Sequence, residues 1–158
     1  ERVWLVLRAL LQERRASLCL GREADGHAAV ASSYRDAKRA AEIRSVCGLQ
    51  EGTLPYGGLG VYLLLYRLQG TEELEEFRRM YLQPLLELDR RQQGALLQTL
   101  RHYFACDCNA KETAERMFVH YNTVIYRRDR IKTELGLRLD DAETKLLLQL
   151  AIKSQDIA

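Results

Sequence analysis

Arg127, Arg128, Arg130 and Lys132 place four cations within six residues, and His120, Tyr121, Asn122 and Thr123 come just before them. Guanidinium and ammonium groups pair with phosphate and carboxylate oxygens. Hydroxyls add neutral hydrogen bonds, and Asn is a residue type that can read adenine bidentately. The chemistry on offer is recognition of an acidic partner. The stretch 121–135 holds four basic residues against two acidic ones, Asp129 and Glu134, while the 158-residue chain as a whole has a net charge of only +2. A basic helix face alone is usually just solvated, so the reading depends on what positions it.

Other chemistry finds less support. Cys106-x-Cys108 with His102 and His120 nearby invites a zinc reading, but the spacing fits none of the usual paired-ligand patterns. The four cysteines, Cys19, Cys47, Cys106 and Cys108, are scattered, and we expect reduced, partly buried thiols. No paired carboxylates, nucleophile–base set or Gly-rich phosphate loop stands out, so neither an enzyme nor a cofactor is expected. The longest apolar run, Leu59 to Tyr66, is too short to span a membrane. No leader pattern is visible, and a cytoplasmic location is expected.

The elements that must position the basic stretch can be read from periodicity and caps. Val3, Trp4, Leu7, Leu10 and Leu11 recur at helical spacing. "ASLCLG" at 16–21 reads as a short strand, and 22–27 as a loop. A helix from Ala28 to about Val46 puts Tyr34, Ala37 and Ala41 on one face, with Ser32 or Ser33 near its start, and stops at Cys47-Gly48. "TLPYGG" at 53–58 reads as a short strand and turn. Residues 59–70 are apolar nearly all round, which predicts a buried helix. Thr71 is a good N-cap, with Glu72 and Glu73 in the first turn. Leu74, Phe77, Tyr81 and Leu85 form the stripe of that helix, Glu75 and Arg79 an i,i+4 pair, and Pro84 kinks or ends it. The polar connector 88–94 is taken as a domain boundary, dividing the chain into 1–90 and 91–158.

The last third reads as helical throughout. Leu96, Leu97, Leu100, Tyr103 and Phe104 define one helix. Asn109 caps the next, 110–117, with Glu112 completing a capping-box-like pattern. After a break at "FVH", a longer helix runs from Tyr121 to Leu135 and ends at Gly136. Asp140 or Asp141 starts a final helix with Leu146, Leu147, Leu150 and Ala151 facing inward. A short capped helix, a tight break and a longer helix make a helix-turn-helix pattern. Ala114 lets the second helix cross closely. His120 takes the N-cap position, and Val119 and Val124 are spaced as a hydrophobic staple. On a wheel, Val124, Ile131 and Leu135 cluster opposite Asn122, Tyr126, Asp129, Arg130 and Thr133. The free N–H groups at this helix start suit a phosphate. Arg127, at the flank of the apolar stripe, is placed to pair with Glu112 or Glu115, or to reach a phosphate.

The stretch 113–153 resembles the C-terminal helix-turn-helix of PucR/CdaR-type bacterial transcriptional regulators. The matching elements are Thr113-Ala114, Phe118-Val119-His120, Asn122-Thr123-Val124, Tyr126-Arg127, Ile131, Gly136 and Leu139. The preceding helix, with Thr99-Leu100 and Asn109, is in register, so the likeness runs from Leu96 to Lys153. More weakly, 17–43 resembles the later half of the degenerate GGDEF-like domain that precedes the DNA-binding part in this family, and "LPYGGLGVYLLL" and "LQPLLELDR" resemble the segments joining the two. No GGDEF motif is present. Arg128 stands where the family usually has Leu, beside Val124 and Ile131. A charge there must snorkel or pair with an acid such as Glu112 or Glu115. Tyr121 stands where the family often has a basic residue.

The resemblance implies a mainly α fold, in which a C-terminal helix-turn-helix domain follows a partial α/β, GGDEF-like segment. It implies a sequence-specific DNA-binding regulator whose helix 121–135 enters the major groove of double-stranded DNA. Asn122, Tyr126 and Arg130 are expected toward base edges or the groove rim. Tyr121, Thr123, Arg127 and Lys132 are expected on phosphates. A homodimer is expected, with 59–68 and 146–150 as candidate contact surfaces and the effector-binding region outside this chain. The regulated genes would serve catabolism of a small metabolite. The alternative reading is an all-helical protein-interaction or dimerisation module without DNA binding.

Overall fold

The computed structural model describes residues 17–49, 52–91 and 93–157. The helix expected around Val3–Leu11 lies outside them. The described residues form two compact units: one takes in those up to Gln69 together with Asp156 and Ile157, the other those from Gly70 to Gln155.

In the first unit, strand β1 (Ser17–Leu20), helix α1 (His27–Val46) and strand β2 (Gly52–Pro55) form a β–α–β unit with a parallel pair of strands. A 3-10 turn (Tyr56–Leu59) and helix α2 (Tyr62–Leu68) follow. Ala40, Ile43 and Leu59 make the core, with Cys19, Leu54, Leu63 and Tyr66 packed on it. The inward face of α1 is therefore Asp36, Ala40, Ile43 and Arg44 rather than the Tyr34–Ala37–Ala41 face, and Tyr34 is 65% exposed. The many alanines give α1 little amphipathic signal, and Asp36 turns inward because Arg22 Nε donates to its Oδ2 at 2.7 Å. Gly21 is dictated by contact, since a Cβ there would lie 1.9 Å from the carbonyl oxygen of Ser33 on α1. Helix α2 is shorter and more exposed than its composition suggests: Leu65 is buried, but Leu64 is 64% exposed.

The second unit begins at Thr71, whose hydroxyl accepts from Leu74 N. Helix α3 (Glu72–Phe77) passes into a π-helical stretch (Arg78–Leu82) and then helix α4 (Gln83–Arg90). Pro84 neither ends nor breaks this rod. The wider π turn, closed by Gln83 N donating to Arg78 O, comes directly before it. Such widening makes room for a ring that would clash with the preceding turn. The shift in phase buries Leu82 along with Leu74, Leu85 and Leu88. It also gives Glu75 to Arg78 at 2.6 Å instead of Arg79. The other side of the Arg78 guanidinium donates to the carbonyl and hydroxyl of Ser154.

Helices α5 (Ala95–Ala105), α6 (Ala110–Met117), α7 (Tyr121–Leu135) and α8 (Ala142–Gln155) complete the unit. Its core joins Leu85, Leu88, Leu96, Leu100, Ile131, Leu139, Leu148 and Ile152. The polar connector at 88–94 thus lies inside one compact unit. Asp89, buried, accepts from Leu96 N at 2.8 Å and Leu97 N at 3.0 Å, so it caps α5 from the end of α4. Asp141 is the residue that starts α8, accepting from Thr144 N and Oγ1. The buried face of α8 is Leu148, Ala151 and Ile152, whereas Leu146, expected inward, is 51% exposed. Among the described residues no helix is long and apolar enough to cross a membrane.

Candidate nucleic-acid interface

Helices α5, α6 and α7 pack on one another, and the α6–α7 pair is closed by local chemistry. Asn109 Oδ1 accepts from Lys111 N and Glu112 N. Its own N–H goes to Cys106 O, so it caps α6 without relying on Glu112 for the second half of a box. Thr113, buried, turns its hydroxyl back to Asn109 O at 2.6 Å, and Ala114 is buried where the helices meet. The end of α6 is a Schellman closure: Val119 N donates to Ala114 O and Phe118 N to Glu115 O. The left-handed residue that this motif needs is Phe118, at φ 54°.

His120 then caps α7, its Nδ1 accepting from Asn122 N at 3.1 Å. That bond requires an unprotonated Nδ1. Val124 and Ile131 are fully buried and Leu135 packs on the core, which fixes the roll of α7. Gly136, at φ 64°, ends it with the same closure, Leu137 N donating to Lys132 O. Glycine, having no Cβ, adopts this backbone without steric cost.

This roll distributes the expected site residues unevenly. Tyr121, Asn122 and Tyr126 are exposed and Thr123 is half-buried in the first turn. Arg130 Nη1 donates to Tyr126 Oη at 3.2 Å, so these two side chains stand together one turn apart on the outer face. Lys132 is exposed and lies 4.0 Å from Asp140. Arg127 turns the other way: it is half-buried, and its Nη1 donates to Thr99 Oγ1 on α5 at 3.1 Å. The acids Glu112 and Glu115 are not its partners. Nor are they partners of Arg128, whose Nε and Nη2 both reach Asp129 Oδ1, at 3.0 and 2.7 Å. Arg128 is half-buried, and the neighbouring carboxylate and the Tyr103 hydroxyl hold its guanidinium above its ordinary pKa despite the burial. The signal for Arg128 was its place on the apolar side of the wheel. Nothing local announced Thr99 as the partner of Arg127.

Away from this surface, the described residues hold no group of three or more His, Cys, Asp or Glu side chains arranged to hold a metal. Burial raises the Cys108 thiol above its ordinary range, so it is a poor thiolate donor. A shallow groove on the first unit, lined by Tyr34, Ala37, Ala41 and Gly48, is open to solvent.

A tight turn, a second helix with a buried Val124–Ile131 face, and an opposite face of hydrogen-bonding and basic groups make a helix-turn-helix. Residues 96–154 match the PucR C-terminal helix-turn-helix domain. The PucR-type domain lies wholly inside the second compact unit. The chain is homologous to regulators of this type. It is 43% identical over 91 residues to the purine catabolism regulatory protein of Bacillus subtilis (strain 168), covering 58% of this chain and 17% of that protein. It is 30% identical over 132 residues to the proline-responsive transcriptional activator PutR of the same organism, covering 83% and 32% respectively. To the carbohydrate diacid regulator of Escherichia coli (strain K12) it is 30% identical over 140 residues, covering 88% and 35%. The chain therefore spans at most about a third of the length of these three relatives. No solved structure matches the chain significantly. Residues 96–154 thus carry a helix-turn-helix domain like that of these transcriptional regulators.

Proposed function

We propose that this chain is the DNA-binding part of a transcriptional regulator, and that α7 lies in the major groove of double-stranded DNA. One observation carries the reading: burial of Val124 and Ile131 turns Asn122, Tyr126 and Arg130 outward together from a capped helix start. Asn122 and Arg130 then address base edges, with Tyr126 bracing Arg130. Tyr121, Thr123 and Lys132 hold phosphates, helped by the positive end of the α7 dipole. Arg127, tied to Thr99, approaches the backbone only through guanidinium N–H groups other than the one it has placed there.

The functional DNA-binding domain is 91–158 in this reading. The segment 1–90 is a partial GGDEF-like region with its connecting helices, which the β1–α1–β2 unit supports. A homodimer follows from the two half-sites that such a fold usually reads. The exposed Leu64, Leu68 and Leu146 support contact surfaces at 59–68 and 146–150. A DNA partner implies a cytoplasmic protein, and the names of the relatives support control of small-metabolite catabolism.

Selection of duplexes by this chain from a random-sequence pool, followed by an anisotropy titration, tests the reading. Enrichment of one half-site motif is the expected outcome. Recovery of the pool unchanged would favour a protein-interaction module instead.

A further inference from the structure

Phe118 is 95% exposed, more than any other large apolar side chain among the described residues. It also stands in left-handed backbone, at φ 54° and ψ 40°. Glycine or asparagine adopts that conformation readily, whereas a bulky Cβ-bearing residue does so at a cost. A ring so exposed adds almost nothing to packing, so neither the core nor the turn accounts for a phenyl group here. The closure needs the left-handed backbone but not a phenyl group on it, and a strained residue choice that the fold does not need is a pointer to function.

The surroundings name the partner. Phe118 is held by its own N–H to Glu115 O and by Val119 N to Ala114 O, immediately before the His120 cap of α7. Its exposed sequence neighbours are Glu115, Arg116, His120, Tyr121 and Asn122, all hydrogen-bonding types. One exposed phenyl near the half-exposed Tyr121 ring, among polar groups, does not make the contiguous apolar patch that a protein partner needs. It does suit a surface that is polar nearly everywhere but carries isolated apolar groups. At the edge of the DNA major groove these are the thymine C5-methyl group and the deoxyribose carbons.

We propose that Phe118 makes an apolar contact with duplex DNA beside the start of α7, against a thymine methyl or a deoxyribose. This rests on the DNA-binding reading of α7. The contact adds affinity without adding charge, so it leaves the salt dependence alone.

Phe118→Asn tests it, because asparagine suits the left-handed backbone and the fold is retained. The probe is the duplex that this chain enriches from a random-sequence pool, titrated at two salt concentrations beside Arg130→Ala. A second copy of the probe carries uracil for thymine and so lacks the methyl groups. The expected result is a melting temperature equal to or above that of the parent, binding about tenfold weaker, and an unchanged salt slope. Uracil substitution that weakens the parent but not the variant assigns the methyl. A parent indifferent to uracil, with the variant still weakened, assigns the deoxyribose. Phe118→Asn binding as tightly as the parent overturns the proposal, and a weakened Arg130→Ala in the same series shows that the DNA reading survives it. A parent that enriches no duplex overturns both.

Discussion

Arg127, Arg128 and Arg130 lie within one turn of α7 yet meet three different surroundings. Arg127 bonds to Thr99 on α5, Arg128 to Asp129 beside it, and Arg130 to Tyr126 on the outer face. The differences give separable outcomes. Arg130→Ala should weaken specific binding while leaving the melting temperature almost unchanged, because the Arg130–Tyr126 bond is exposed. Asn122→Ala should relax base preference at one position of the half-site, read by competition with single-base variants. Arg127→Ala should lower stability by about 1–2 kcal/mol in denaturant titrations, since it leaves the buried Thr99 hydroxyl without that donor. Arg128→Leu should leave DNA affinity within about twofold, because its charge is already matched by Asp129 rather than held out for a phosphate. At this scale the sequence was informative about type but not about partner. The wheel put Arg128 on the inner side and Arg130 on the outer. It could not supply Thr99, which is 28 residues from Arg127 and reaches it only through packing of α5 on α7.

The elements owe their ends to short-range chemistry, and those ends were the most legible features. Thr71, Asn109 and His120 cap the helices they were expected to cap, and Gly136 ends α7. Each is settled within four or five residues. The α5 start was different. Its own N-cap position is Gly94, and the side chain that caps it is Asp89, across a connector that looks like a flexible linker. Asp89→Ala should therefore destabilise the second unit by about 2–3 kcal/mol, measured by chemical unfolding, since two amide N–H groups at the start of α5 lose their acceptor. The Asp141 cap carries a pH signature. The Thr144 amide and hydroxyl hold its carboxyl below the ordinary 3.8. A depressed folded pKa contributes stability above the unfolded value, and this is lost as pH falls through the folded one. Asp141→Ala should thus lower the melting temperature at neutral pH, and the gap from the parent should close progressively below about pH 4. The π stretch before Pro84 was not legible, because its phase shift follows from how the whole rod packs, not from any residue type within it.

At the scale of the molecule, the helix-turn-helix was the readable part and the first unit the obscure one. The second unit has a leucine core whose members recur at helical spacing, so Leu96, Leu100 and Ile131 could be assigned inward from the sequence. In α1 the alternation of alanine with charge leaves the buried face undetermined until Arg22 and Asp36 are seen to pair. The exposed Leu64 and Leu146 were misjudged as buried for a related reason: hydrophobicity says that a side chain prefers cover, not which partner provides it. The central claim is that α7 binds duplex DNA through its outer face and the phosphates beside it. The most direct measurement is the affinity of this chain for its selected duplex as a function of salt. The logarithm of the binding constant should fall linearly with the logarithm of salt concentration, by about 0.9 per phosphate neutralised, and Lys132→Ala should reduce the slope by about one. Undetectable binding at low salt, or binding indifferent to salt and to Lys132, would contradict the account.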